Sequence, residues 1–257
     1  MNADQPITTE AIESGIVSLT LKRPQKRNAL SNQLLEQLCA AVEEAESEPR
    51  NRVMIVRGAG PVFCAGLDLA EAAEPSSATK SAHLVARMLQ TVYESRLVSI
   101  AAVHGAAVAG GAGLMTACDL VVLERDAKIG YPEVHRGLVA ALVLNLLSGQ
   151  VPDRVARELL LLGEMIDAER ALAIGLASRV VERGAAIDAA MEMGRQVLKG
   201  GPQAIERTKK LLNQAAVCQM TGDRSQALDQ HLAARDSEES AEGLAAFLEK
   251  REPKWRQ

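Results

Sequence analysis

Phe63-Cys64-Ala65-Gly66-Leu67-Asp68-Leu69 and Ala109-Gly110-Gly111-Ala112-Gly113 decide how this chain reads. Each follows an apolar, strand-like run, Val53 to Val56 and Ile100 to Val103, and each leads into a segment of helical character. A strand, a turn of small residues and a helix together leave unbonded backbone N–H groups at the helix start. Two such turns brought side by side grip one oxygen from two directions. That geometry stabilises an enolate or oxyanion. Taken singly, either glycine cluster serves as well to let a helix pack closely on a sheet.

The segments around these turns alternate between the two periods. Ile16 to Leu21 alternates apolar and polar, as a half-buried strand does. Pro24 to Asn28 is turn-like, and Ser31 or Asn28 caps a helix to about Ser47. Val53 to Val56 is apolar throughout, the mark of a strand covered on both faces. Ala70 to Lys80, with Pro75-Ser76-Ser77, reads as a mobile loop before a helix from Ser81 to Ser95. Strands at Ser99 to Val103, Leu120 to Leu123 and Ala127 to Tyr131 enclose a helix at Gly111 to Ala117. This order predicts an α/β fold with mostly parallel pairing. The apolar run Gly137 to Leu147 reads as a buried helix. Beyond it, apart from a strand at Ser178 to Val181, the chain is predicted helical, with a break near Asp236 in the last helix.

At 257 residues the chain is long enough for a large core, and with two Phe, two Tyr and one Trp that core is aliphatic. A net charge of −4 with no broad basic field argues against nucleic acid as a partner. No apolar run is long enough for a membrane span. Cys39, Cys64, Cys118 and Cys218 are widely spaced and lack a C-x-x-C pair, which disfavours a metal site. Reduced thiols and a first ten residues without a signal-like apolar region lead us to expect a cytoplasmic protein.

The glycine spacing fails the dinucleotide fingerprint, because Thr116 stands where its last glycine belongs. Phosphate-loop, G-x-S-x-G and H-E-x-x-H motifs are missing from the sequence. The acid–base candidate is Glu133, beside Pro132 and ahead of an apolar run, where burial would raise its pKa. His135 is a second candidate, although its neighbour Arg136 suits a solvated histidine equally well. His104 reads as a core-edge histidine with satisfied nitrogens.

Several motifs then fall in a familiar order. Arg23-Pro24 with Arg27-Asn28-Ala29-Leu30, the Phe63 to Leu69 run, Ala102-Val103-His104-Gly105 through Gly110-Gly111, Cys118-Asp119-Leu120 and Gly130-Tyr131-Pro132-Glu133 resemble the enoyl-CoA hydratase/isomerase (crotonase) superfamily. A tail from Ser237 through Gly243 to Phe247-Leu248 and Pro253-Lys254-Trp255 carries the resemblance to the end. It implies a crotonase-like core of repeated ββα units over residues 1–200 and a helical region, residues 201–257, for trimerisation and CoA covering. It also implies an acyl-CoA thioester substrate and a homotrimer or dimer of trimers. No cofactor is implied beyond the coenzyme A that enters with the substrate.

By position, the resemblance assigns the oxyanion-binding amides to Ala65 and Gly110 and the acid–base role to Glu133. Its implied substrate-binding set is Arg27, Lys26, the run Ala65-Gly66-Leu67-Asp68-Leu69, Gly111, Gly113, His135, Phe247 and Lys250, with Lys22 and Lys254 as further basic candidates. Family hydratases commonly carry two glutamates, and Gly113 occupies the place of the first. Gly113 would then widen the pocket for a branched or glutaconyl-type acyl group. A hydratase is the leading expectation. A Δ3,Δ2-enoyl-CoA isomerase with one base, or an inactive acyl-CoA-binding relative, remain the alternatives.

Overall fold

A computed structural model of the chain describes residues 5–72, 75–219 and 224–254. Its first half runs β1 (Ile7–Glu13), β2 (Ile16–Leu21), α1 (Asn32–Ser47), β3 (Val53–Gly58), α2 (Leu69–Ala72), α3 (Pro75–Glu94), β4 (Val98–Val103), β5 (Ala106–Val108), α4 (Gly110–Ala117), β6 (Leu120–Glu124) and β7 (Lys128–Gly130). A 3₁₀ turn, Pro132–Arg136, leads to α5 (Ala141–Ser148) and α6 (Asp153–Arg157), which widens into a π turn at Glu158–Leu162. Then follow β8 (Ile166–Asp167), α7 (Ala168–Ala173), β9 (Arg179–Val181), α8 (Ala186–Leu198), α9 (Pro202–Gln219), α10 (Arg224–Arg235) and α11 (Glu238–Glu249).

Two sheets form. The larger has order β1-β2-β3-β4-β6-β9, antiparallel only between β1 and β2. The smaller, β5-β7-β8, stands beside it. Val53 to Val56 and all of β4 are buried, as their continuous apolar character requires. One face of the large sheet packs on α1, α3 and α4 through residues such as Leu19, Leu38, Met54, Met88 and Leu114. The opposite face packs on α8 through Ile16, Ile55, Ile100 and Met191.

Local chemistry sets the entrance to the first glycine turn. Ser31 is the cap of α1, its hydroxyl accepting the Leu34 N–H at 3.2 Å. Asn28 has another task. Fully buried at φ 53°, it donates its side-chain amide to the carbonyls of Ala59, Val62 and Phe63 and accepts the Arg23 N–H. One side chain thus holds the loop that precedes Cys64.

The structure departs from the sequence reading in four places. β1 is an edge strand, missed because its exposed face leaves it the polar composition of a tail. The stretch from Ala70 to Lys80 is helical in its described part: Pro75 opens α3, where its missing N–H is harmless, rather than marking a loop. Helix α5 begins only at Ala141, and residues 137–140 form an irregular wall. β5 and β8 are too short to carry a period.

Candidate active site

The two glycine turns meet. Cys64 bridges to Ala107 and Leu30 to Leu67, tying the first turn between β5 and the start of α1. Leu30 donates its N–H to the Gly66 carbonyl at 2.8 Å and accepts the Asp68 N–H at 3.0 Å. In such a parallel pairing the intervening residue turns its own amide the other way. Among the described residues the Leu67 N–H therefore has no acceptor in the chain. Gly66 permits the bend at φ +89°, and a Cβ there would lie 2.7 Å from the Val108 carbonyl oxygen.

The second turn supplies the other donor. Ala109 sits at φ 49°, ψ −122°, a backbone state rarely taken by a residue with a side chain. Its N–H donates to Gly130 at 2.8 Å, which anchors the strained turn to β7. Gly110, first residue of α4, is left with an N–H that α4 cannot satisfy. A Cβ built on Gly110 would lie 3.8 Å from the Leu67 nitrogen, and one built on Gly66 would lie 3.4 Å from the Gly110 nitrogen. The two amides are thus neighbours, and the α4 dipole adds positive potential beside them.

This corrects one assignment. The Ala65 N–H donates to the Arg27 carbonyl at 3.0 Å, so it is engaged in holding the turn. The open amide belongs to Leu67, two residues later. The glycines divide the remaining work. Gly111 lets α4 lie against the first turn, since a Cβ there would stand 2.4 Å from the Cys64 carbonyl oxygen. Gly113 faces the protein interior, and a Cβ would meet Val143 at 2.8 Å. Gly113 does not itself line the cavity; it lets the cavity-lining Val143 pack back against α4.

Both turns open on a cavity of ≈ 350 Å³. Ala65, Leu67, Asp68, Leu69, Val108, Ala109 and Gly110 form one wall; Glu133, Arg136 and the 138–140 segment, with Leu142 and Val143, form another. His231 of α10 and Phe247 and Leu248 of α11 complete it, so the C-terminal helices contribute directly. Glu133 stands on the 3₁₀ turn, and its Oε2 is buried without a hydrogen-bond partner. Burial pushes its pKa from 4.5 to about 7, against the smaller opposing pull of its own backbone amide and Arg136. Nearby, the buried Tyr131 hydroxyl and Thr116 share a 2.6 Å hydrogen bond that braces the strand end before Glu133.

Other predicted residues lie elsewhere. His135 turns away from the cavity, its Nε2 2.7 Å from the Leu162 carbonyl oxygen, and is exposed. Lys22, Lys26, Arg27, Lys250 and Lys254 are exposed and do not line the cavity. Gly111 and Gly113 act in packing. Asp68 lines the wall but is paired with Arg23 at 3.0 Å. His104 matches its reading, with Nε2 2.8 Å from the Gly60 carbonyl oxygen. Trp255 lies outside the described residues. Sequence reasoning missed Arg136 and His231 as cavity residues. Arg136 was legible as the residue three beyond Glu133 on a short turn, whereas His231 carries no sequence signal.

A two-sheet α/β fold with two open amides from adjacent turns and a buried carboxylate in one apolar cavity defines a protein of the crotonase type. The family model described as enoyl-CoA hydratase/isomerase matches residues 11–257. A Thermus thermophilus protein named as an enoyl-CoA hydratase is 36% identical over 250 residues, covering 95% of this chain and 99% of its own. The mitochondrial methylglutaconyl-CoA hydratase of Mus musculus is 32% identical over 253 residues, 94% of this chain and 80% of the mouse protein. The crystal structure of an enoyl-CoA hydratase from Mycobacterium avium superposes with a TM-score of 0.88 at 33% identity, covering 99% of this chain and 100% of that one. The chain belongs to the enoyl-CoA hydratase/isomerase family.

Proposed function

We propose that this protein is an enoyl-CoA hydratase, a lyase that adds water across the Cα=Cβ bond of an acyl-CoA thioester. One observation carries the reading: the open amides of Leu67 and Gly110 and the Glu133 carboxyl, whose Oε2 has no hydrogen-bond partner, share a single cavity. The thioester oxygen lies between the amides. Ionised Glu133 takes a proton from water while the water oxygen bonds to Cβ. The double-bond electrons move toward the thioester oxygen, and the two N–H groups hold the enolate. Glutamic acid then returns that proton to Cα, the enolate collapses, and the carboxylate is restored.

Gly113 leaves Glu133 to act as both base and acid. A carboxyl with a pKa of about 7 suits this, because both forms are populated near neutrality. The mouse relative's name supports a branched or glutaconyl-type acyl group as the substrate. The same single carboxyl favours a second reading, a Δ3,Δ2-enoyl-CoA isomerase, in which one base removes a proton at C2 and returns it at C4.

Crotonyl-CoA and 3-hexenoyl-CoA assayed side by side separate the two. Formation of 3-hydroxybutyryl-CoA supports the hydratase. Migration of the 3-hexenoyl double bond without water uptake selects the isomerase. Failure of these and of methylglutaconyl-CoA to react removes both.

A further inference from the structure

Neither the oxyanion turns nor the proton transfer uses Arg136. Its guanidinium nevertheless lines the cavity, half-buried, 4.7 Å from the centroid of the Phe247 ring. Its Nε is buried and has no hydrogen-bond partner. One Nη reaches the Pro132 carbonyl at 3.4 Å, the far limit of a hydrogen bond. Among the described residues no carboxylate forms an ion pair with it, and Glu133 acts on it only through space. Asp68, the other acid of the cavity, is engaged by Arg23. Burial lowers the pKa of His231, whose Nδ1 lies 3.3 Å from the Val139 carbonyl oxygen.

A guanidinium offers five N–H donors in a rigid fork. Arg136 therefore keeps most of its donors unspent in a mainly apolar cavity. Partial burial of a charge that has no ion-pair partner is unfavourable, and stacking on Phe247 offsets only part of that. Its place in the chain fixes what kind of anion it meets. Residues three apart on a 3₁₀ turn lie on one face, so Arg136 stands on the same side as Glu133. The phosphates of CoA are separated from the thioester by the whole pantetheine arm. A carboxylate closing a short acyl chain is only a few bonds from Cβ.

We infer that Arg136 is a specificity-determining residue that binds a carboxylate at the far end of the acyl chain, making thioesters of short unsaturated dicarboxylic acids the preferred substrates. The inference rests on the acyl-CoA reading of the cavity. Leu142 and Val143 provide apolar wall for the intervening methylenes, and the guanidinium fork matches a carboxylate with two parallel hydrogen bonds.

The test is binding rather than turnover. Glutaryl-CoA and pentanoyl-CoA have acyl chains of equal length that end in a carboxylate and a methyl group. The wild-type protein binds glutaryl-CoA roughly 10- to 100-fold more tightly. Arg136→Met removes that preference while keeping the apolar stem, and Arg136→Lys retains part of it as a charge without the fork. Tighter binding of pentanoyl-CoA by the wild type, or a glutaryl preference that survives Arg136→Met, overturns the inference. Equal weakening of both ligands by Arg136→Met places the guanidinium on the CoA portion and overturns it too. A glutaryl preference lost in Arg136→Met, in a protein that neither hydrates nor isomerises any enoyl-CoA, upholds Arg136 and sinks the catalytic reading alone. Failure of both thioesters to bind wild type removes both readings together.

Discussion

Replacing Glu133 with Gln keeps the side-chain shape and removes its ionisation. The carboxyl of the folded protein has its pKa raised from 4.5 to about 7, chiefly by burial. In the unfolded chain it titrates near its ordinary value. Between those two limits the folded state keeps a proton that the unfolded chain has released. The unfolding free energy of the wild type therefore falls as pH rises through this window, and the loss is complete above the folded pKa. The interval corresponds to about 3 kcal/mol at ~1.4 kcal/mol per pH unit. Glu133→Gln has no such dependence. Denaturant titrations of the two proteins should show the variant's advantage growing from under ~1 kcal/mol near pH 5 to about 3 kcal/mol near pH 8.5. Wild-type turnover should rise over the same window, because the ionised form attacks water's proton. The variant should lose roughly 100- to 10,000-fold in kcat. Stability curves that stay parallel from acid to alkaline pH would show that Glu133 is not desolvated. Turnover by the variant within about threefold of wild type would remove it from the chemistry.

Two further expectations concern the backbone donors and the sheet. An amide-to-ester replacement at Leu67 should lower kcat by about 100- to 1,000-fold with little change in melting temperature. The same replacement at Ala65 should act through stability, because it removes the hydrogen bond to Arg27; the opposite pattern would return the oxyanion role to Ala65. Lys209 is buried on α9 and donates at 2.7 Å to both the Leu97 carbonyl and Asp119, whose carboxylate also accepts from the Ser99 N–H and hydroxyl. Lys209→Met should destabilise the protein by about 3 kcal/mol, since it strands a charge that the fold has desolvated. An unchanged denaturation midpoint would show the pair to be solvated.

Much of the fold was readable because its strands and helices differ in period. The buried runs of β3 and β4 could hardly be anything but covered strands, and the stripe Leu34, Leu35, Leu38, Val42 and Ala45 marked α1. Pro75 misled because a proline reads alike as loop or as helix start until the residues after it are packed. β1 misled because an edge strand exposes half its residues to water.

The sequence by itself determined the two glycine turns, their order and Glu133 as acid–base candidate, since these follow from residue identity and spacing, while the missing partner acid at Gly113 is what the family resemblance implies. Only the tertiary structure decided which amides stay open. An N–H is free or engaged according to what lies across from it, and Arg27 reaches Ala65 while nothing among the described residues accepts from Leu67. Tertiary packing also seated Val143 against Gly113 and brought Arg136 under Phe247 from more than a hundred residues away, contacts set by the folding of distant segments onto one another.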